Sequence, residues 1–130
     1  MEAMSGPEKA RCPHNTSKAA IIWAAEHNLD VRIPGDFELF LDIDTPEDRA
    51  TFERNRELIN EAYGIDEVVE TTSRGGHTHI VVTVDVPVSI VERIALQAVL
   101  GSDRRREAHS MRRFFEGEAT PTLFFERKKS

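Results

Sequence analysis

The spacing of apolar and polar residues along the chain predicts four strands and four helices. The strand-like segments are rich in branched and aromatic residues, and they cover residues 37–44, 68–72, 77–86 and 121–126. Three helical segments carry apolar runs, a helical apolar stripe or capping residues, and they cover residues 15–28, 45–64 and 90–100. A fourth, polar and arginine-rich helix is expected over residues 104–115. Residues 1–14 contain three chain breakers and few apolar side chains. We therefore predict a flexible N-terminal arm followed by a single domain of residues 15–130.

The order of these elements predicts an α+β fold. After the leading helix come a strand, a helix, two strands, two helices and a final strand. Apart from the added helices, this is the βαββαβ order of RRM-like and ferredoxin-like domains. Such domains form an antiparallel sheet with helices on one face, and here the extra N-terminal helix precedes the sheet. The other face would stay open, and a functional site is expected there.

Strand alternation sends a group of polar side chains to that open face. Successive residues of a strand point to opposite sides of the sheet. In the first strand the polar side carries Asp42 and Asp44, and in the third strand it carries His77 and His79. In the expected topology these two strands are antiparallel neighbours, so the end of one lies beside the start of the other. We therefore expect two carboxylates and two imidazoles to converge on one patch.

The aspartate pair is the strongest candidate for chemistry. Two carboxylates on one strand face repel each other and are stabilised by a cation. Mg²⁺ and Mn²⁺ favour such oxygen ligands and keep positions free for phosphate oxygens. The alternative is a solvated pair at a strand end, with Asp44 helping to cap the helix that follows Thr45. A lone His77 would more often be a surface or packed residue, but it follows a glycine turn and faces the aspartates.

Two motifs in this region resemble a known family. Leu-Asp-Ile-Asp at residues 41–44, followed by Ser-Arg-Gly-Gly-His-Thr-His-Ile at residues 73–80, is similar to motifs I and II of the archaeo-eukaryotic primase superfamily. The resemblance implies that Asp42 and Asp44 bind catalytic Mg²⁺ or Mn²⁺ ions. It also implies a nucleotide-binding segment made of Ser73, Arg74, Gly75, Gly76, His77 and His79. The expected reaction joins nucleoside triphosphates on a single-stranded DNA template in phage or mobile-element replication.

The family's third metal-binding carboxylate has two candidates in this chain. Asp103 precedes an arginine block, and Glu126 ends the last strand. In the expected topology Glu126 would lie at the far end of the sheet from Asp42, so Asp103 is favoured. The alternative is that Asp103 is simply a polar residue that follows a helix terminus. Because 130 residues leave room for little besides a catalytic core, a helicase or another replication subunit is an expected partner.

Charge is unevenly distributed along the chain. The formal net charge is −6, which argues against nucleic-acid binding by bulk charge. Residues 26–70, however, contain 14 acidic and 4 basic residues, whereas residues 101–130 contain 8 basic and 5 acidic ones. The arginines of the second block either follow a phosphate backbone or form a solvated helix face: Arg104, Arg105, Arg106, Arg112 and Arg113.

Several other classes of protein fit the sequence less well. A rolling-circle endonuclease needs a nucleophilic tyrosine after the histidine strand, but the single tyrosine, Tyr63, precedes it. The single cysteine, Cys12, excludes an internal disulfide and a cysteine-based zinc finger. No apolar run suggests a membrane helix or a secretory signal, so we expect a cytoplasmic protein. The main alternative is a non-catalytic nucleotide- or nucleic-acid-binding module on the same fold.

Overall fold

A computed structural model describes residues 17–72 and 77–127 of the chain, and within them it shows an α+β fold. Its elements, in chain order, are α1 (Ser17–Glu26), β1 (Leu29–Arg32), β2 (Glu38–Ile43), α2 (Pro46–Tyr63), β3 (Ile65–Thr72), β4 (Thr78–Val84), α3 (Ile90–Val99), α4 (Arg104–Phe115) and β5 (Phe124–Arg127). The arm predicted for residues 1–14 lies outside the described residues. None of the described helices combines the length and apolar character that crossing a bilayer requires.

The strands form two antiparallel sheets. The larger sheet has the order β2-β4-β3, and the smaller one pairs β1 with β5. The position of β4 between β2 and β3 agrees with the expected topology. The last strand does not join this sheet as expected, because it pairs with β1, a strand that the residue pattern did not predict. A four-stranded ferredoxin-like sheet is therefore not confirmed.

The free edge of β2 shows why no fourth strand adds to the larger sheet. Gln97 Oε1 accepts a hydrogen bond from Phe40 N at 2.7 Å, and Arg106 Nη1 donates to Phe40 O at 2.7 Å. Two residues along, Asp42 N donates to Ser102 Oγ at 3.0 Å. Side chains from α3, α4 and the turn between them thus satisfy the edge groups that another strand would need.

The main hydrophobic core lies between the larger sheet and helices α2 and α3. It is built from the apolar faces of β2 and β4, side chains of the two helices and two residues that flank α3: Leu39, Leu41, Ile43, Phe52, Ile59, Ile80, Val82, Val84, Val88, Leu96 and Leu100. The caps are local. Thr45 accepts from Asp48 N at the start of α2, and Ser89 and Glu92 form the expected capping box of α3.

The second face of the sheet is closed over β2 and β4, contrary to expectation, whereas the β3 residues on that face are exposed: Glu67, Val69 and Thr71. Phe40, Val81 and Phe124 form a separate buried cluster there. The rings of Phe40 and Phe124 stack at 4.4 Å between centroids. β5 brings Phe124 over this part of the face, and Asp42, Asp44 and His77 lie beside it, at the end of β2 and the start of β4.

Candidate metal centre

Two aspartates and a histidine meet at one end of the larger sheet. Asp42 lies in β2, Asp44 follows that strand, and His77 precedes β4. The antiparallel register pairs Asp42 with His79 and Ile43 with Thr78, which brings Asp44 beside His77. One potential ligand atom from each of Asp42, Asp44 and His77 lies within 4.8 Å of the other two.

Asp44 and His77 are in direct contact. The distance from His77 Nδ1 to Asp44 Oδ1 is 2.7 Å, with side-chain exposures of 55% for the histidine and 27% for the aspartate. Both side chains are therefore accessible to a ligand from solvent. The imidazole can balance the Asp44 carboxylate when it is protonated, and it can donate a hydrogen bond to it in either state.

Asp42 is the half-buried member of the cluster. Its Oδ1 atom is shielded from solvent and has no hydrogen-bond partner among the described residues. Burial raises the pKa of Asp42 to about 6, the charge of Arg106 opposes this increase, and the neighbouring Asp44 adds to it. A buried carboxylate oxygen without a donor is costly, and a cation at this position would remove much of that cost.

The donor set suits a hard divalent ion. Carboxylates are preferred by Mg²⁺ and Mn²⁺, and an imidazole is accepted more readily by transition metals. Asp42, Asp44 and His77 could therefore hold one such ion at the surface of the sheet. Their three ligand atoms lie close enough for one ion, and the donor set favours Mn²⁺ over Mg²⁺.

His79 belongs to the aromatic layer beside this cluster. Its ring stacks on Phe124 at 3.8 Å between centroids with parallel planes. Burial lowers the pKa of His79 to about 4, and the charges of Arg106 and His77 contribute in the same direction. The imidazole is therefore neutral at physiological pH. The structure places His79 against Phe124 rather than with the three candidate ligands.

A buried polar network behind Asp42 was not anticipated from the sequence. Glu107 is 3% exposed, and its carboxylate accepts hydrogen bonds from Gln97, Ser102 and Arg106 at 2.7–2.8 Å. These are the side chains that cap the edge of β2. No apolar stripe marks this side of α4, because Arg106, Ser110 and Arg113 occupy its inward positions at i, i+4 and i+7.

Neither candidate for the third carboxylate is part of the cluster. Asp103 caps α4, with its Oδ1 accepting from Arg105 N at 3.0 Å. Its backbone N donates to Asp42 O at 2.8 Å, so the two residues are neighbours through the main chain. Glu126 lies in the smaller sheet opposite Asp30. Within the described residues, the third potential ligand is His77.

The remaining predicted site residues fall into two groups. Ser73, Arg74, Gly75 and Gly76 lie outside the described residues, between the paired ends of β3 and β4. The five arginines of α4 are divided between its two sides: Arg104, Arg105 and Arg112 are exposed, whereas Arg106 and Arg113 turn inward.

Comparison with known proteins gives no significant match to a family model, a curated protein or a solved structure. Function is therefore inferred from the site itself.

Proposed function

We propose that this chain is a primase-type nucleotidyltransferase domain that depends on a divalent metal. Its substrates would be nucleoside triphosphates, joined on a single-stranded nucleic-acid template as part of a replication system. The resemblance of residues 41–44 and 73–80 to primase motifs supports this class. The β2-β4-β3 order, with α2 and α3 on one face, is compatible with an RRM-like core whose fourth strand is replaced by polar caps.

The single observation that carries the proposal is the Asp42–Asp44–His77 cluster. Its three ligand atoms lie within 4.8 Å of one another, and one oxygen of Asp42 is buried without a hydrogen-bond donor among the described residues. Asp42 and Asp44 would hold Mg²⁺ or Mn²⁺, and the ion would supply positive charge for the triphosphate and its α-phosphate. His77 is close enough to act as a third ligand or to donate to a phosphate oxygen.

The composition of the cluster also favours the alternative function. The primase resemblance implies a third metal-binding carboxylate, but Asp103 is engaged as a helix cap. Two carboxylates and one imidazole suit the binding of one ion with a nucleotide. A nucleotide-binding module that does not polymerise is therefore the second candidate.

The test begins with Mn²⁺ binding, measured by electron paramagnetic resonance, and continues with nucleotide binding. Wild-type protein should bind Mn²⁺, and Mn²⁺ should promote binding of a nucleoside triphosphate. Asp42→Asn and Asp44→Asn should each weaken Mn²⁺ binding by about tenfold or more, since even residues that only orient metal ligands have effects of this size. Asp66→Asn is a matched control, because Asp66 is an exposed aspartate of β3.

Nucleotide incorporation on a single-stranded template, with and without a helicase or other replication subunit, separates the two candidates. Incorporation that requires Asp42 and Asp44 would support the nucleotidyltransferase. Metal-dependent nucleotide binding without incorporation would establish the binding module instead. Equal Mn²⁺ affinities for wild type, Asp42→Asn and Asp44→Asn would refute the metal site and both functions built on it.

A further inference from the structure

The solvent-facing side of α4 combines positive charge with an exposed aromatic ring. At 100° per residue, seven residues of the helix and its C-cap fall within an arc of about 140°, and all seven are exposed: Arg104, Arg105, Ala108, His109, Arg112, Phe115 and Glu116. We call this surface the outer face of α4. It is about 17 Å long from Arg104 to Phe115, at 1.5 Å per residue.

The charge of the outer face is opposite to that of the protein as a whole. It carries three arginines and one acid, whereas the whole chain has a net charge of −6. The acid, Glu116, pairs with Arg112 at 3.3 Å, but both side chains are more than half exposed. Such a pair contributes little to stability and can exchange for a phosphate. A polyanion would therefore be directed to this helix in preference to the acidic remainder of the surface.

Phe115 gives the outer face a second property that charge alone does not explain. It is 70% exposed, the highest exposure among the large apolar side chains of the described residues. Its ring and that of Phe114 form a T-shaped pair at 5.1 Å between centroids, so this neighbour covers at most one of the two faces of Phe115. Exposed aromatic rings beside basic residues are the platforms on which bases of single-stranded nucleic acids stack.

The outer face begins close to the candidate metal centre. Asp103, the cap of α4, donates its backbone N–H to Asp42 O at 2.8 Å. The first turn of the helix is therefore one hydrogen bond from the strand that carries the cluster. The inward arginines do not contribute to this surface, since Arg106 binds Phe40 O and Glu107 while Arg113 binds Pro121 O.

We propose that the outer face of α4 binds single-stranded nucleic acid, with Arg104, Arg105 and Arg112 contacting phosphates and Phe115 stacking on a base. The role of this surface as the path of the template rests on the proposed function. Its binding of single-stranded nucleic acid, by contrast, requires no metal. Three phosphate contacts correspond to a slope of about −2 in a plot of log affinity against log salt concentration.

Fluorescence anisotropy with a labelled oligothymidine in EDTA, over a series of NaCl concentrations, tests the surface independently of the metal centre. Arg112→Ala should weaken binding and make the salt slope shallower by about 0.7. Phe115→Leu should weaken binding about fivefold or more, and Phe115→Trp should retain it, because tryptophan stacks on bases whereas leucine does not. Arg54→Ala and Leu58→Ala are matched controls, since both residues are exposed on α2 and should leave binding unchanged.

Three outcomes would overturn the proposal: no binding by wild type at low salt, equal effects of Arg112→Ala and Arg54→Ala, or equal affinities of Phe115→Leu and wild type. If Phe115 instead docks a protein, Phe115→Leu and wild type would bind the oligonucleotide with equal affinity. Wild-type protein that binds the oligonucleotide in EDTA but does not bind Mn²⁺ would refute the metal centre and leave this surface supported. Wild-type protein that binds Mn²⁺ but not the oligonucleotide would refute this surface alone.

Discussion

Asp42 and His79 face each other across β2 and β4, and their titrations should have opposite effects on stability. Burial raises the pKa of Asp42 from 3.8 to about 6. Between these values the folded chain holds a proton that the unfolded chain has released, so stability falls as the pH rises. Burial lowers the pKa of His79 from 6.5 to about 4. In that window the unfolded chain holds the extra proton, so stability rises with pH.

The two effects are similar in size. At 1.36 kcal/mol per pH unit, each displacement corresponds to about 3 kcal/mol for a fully shielded group. Solvent screening of these partly exposed side chains reduces the contributions to about 2 kcal/mol for Asp42 and about 1.5 kcal/mol for His79. In the wild type they should nearly cancel between pH 4 and pH 6.

Single substitutions should reveal each effect. Asp42→Asn removes the carboxyl, so its free energy of unfolding relative to wild type should increase by about 2 kcal/mol from pH 4 to pH 7. His79→Gln should show the opposite trend, with its relative stability decreasing by about 1.5 kcal/mol over the same range. The loss of stacking on Phe124 adds an offset to His79→Gln that does not depend on pH.

Urea denaturation at several pH values in EDTA measures these differences directly, because urea adds no ionic strength. Comparing each variant with wild type at the same pH cancels the contributions of all other titrating groups. The free energy of unfolding of the double variant Asp42→Asn/His79→Gln should depend on pH in nearly the same way as that of wild type. If the Asp42→Asn curve is itself parallel to wild type from pH 4 to pH 7, the burial argument for Asp42 is refuted.

Two further predictions concern the supports of the site, and both are measured as free energies of unfolding in urea. Gly101 has a φ of 88°, and a Cβ there would lie 2.5 Å from the backbone oxygen of Asp48; Gly101→Ala should cost about 2 kcal/mol or more. Gly117→Ala is the control, because its φ is 97° but no atom lies within 4 Å of its Cβ position; an equal cost in both variants would show that the close approach is unimportant. Glu107→Ala should cost about 3–5 kcal/mol, because it removes the buried carboxylate that pairs with Arg106 and accepts from Gln97 and Ser102. A cost below about 1 kcal/mol would contradict the buried network.

The elements that flank the site could be predicted from the sequence because their signals are local. The helix predicted for residues 104–115 has the same bounds as α4 (Arg104–Phe115), and the strand predicted for residues 37–44 contains β2 (Glu38–Ile43). Aromatic and branched residues indicate the strand, and the arginine-rich composition of residues 104–115 favours the helix. The juxtaposition of Asp42, Asp44 and His77 follows from the same alternation combined with one antiparallel pairing.

The position of the last strand could not be predicted in this way, because it depends on contacts between distant residues. The groups that cap Phe40 come from Gln97 and Arg106, which are 57 and 66 residues further along the chain. Nothing in the local pattern distinguishes these polar residues from solvated ones. Asp103 is a related case, since an aspartate before a helix is equally suited to capping it and to binding a metal.

Arg106 links the buried network to the candidate metal centre. Its guanidinium lowers the pKa values of both Asp42 and His79, and its Cζ lies 5.2 Å from the centre of the Phe124 ring. It therefore provides positive charge from the interior side of the cluster. That charge is not sufficient, because the pKa of Asp42 remains at about 6 and its Oδ1 has no donor among the described residues. The proposed divalent ion would supply the remaining charge from the exposed side, where Asp44 and His77 are accessible.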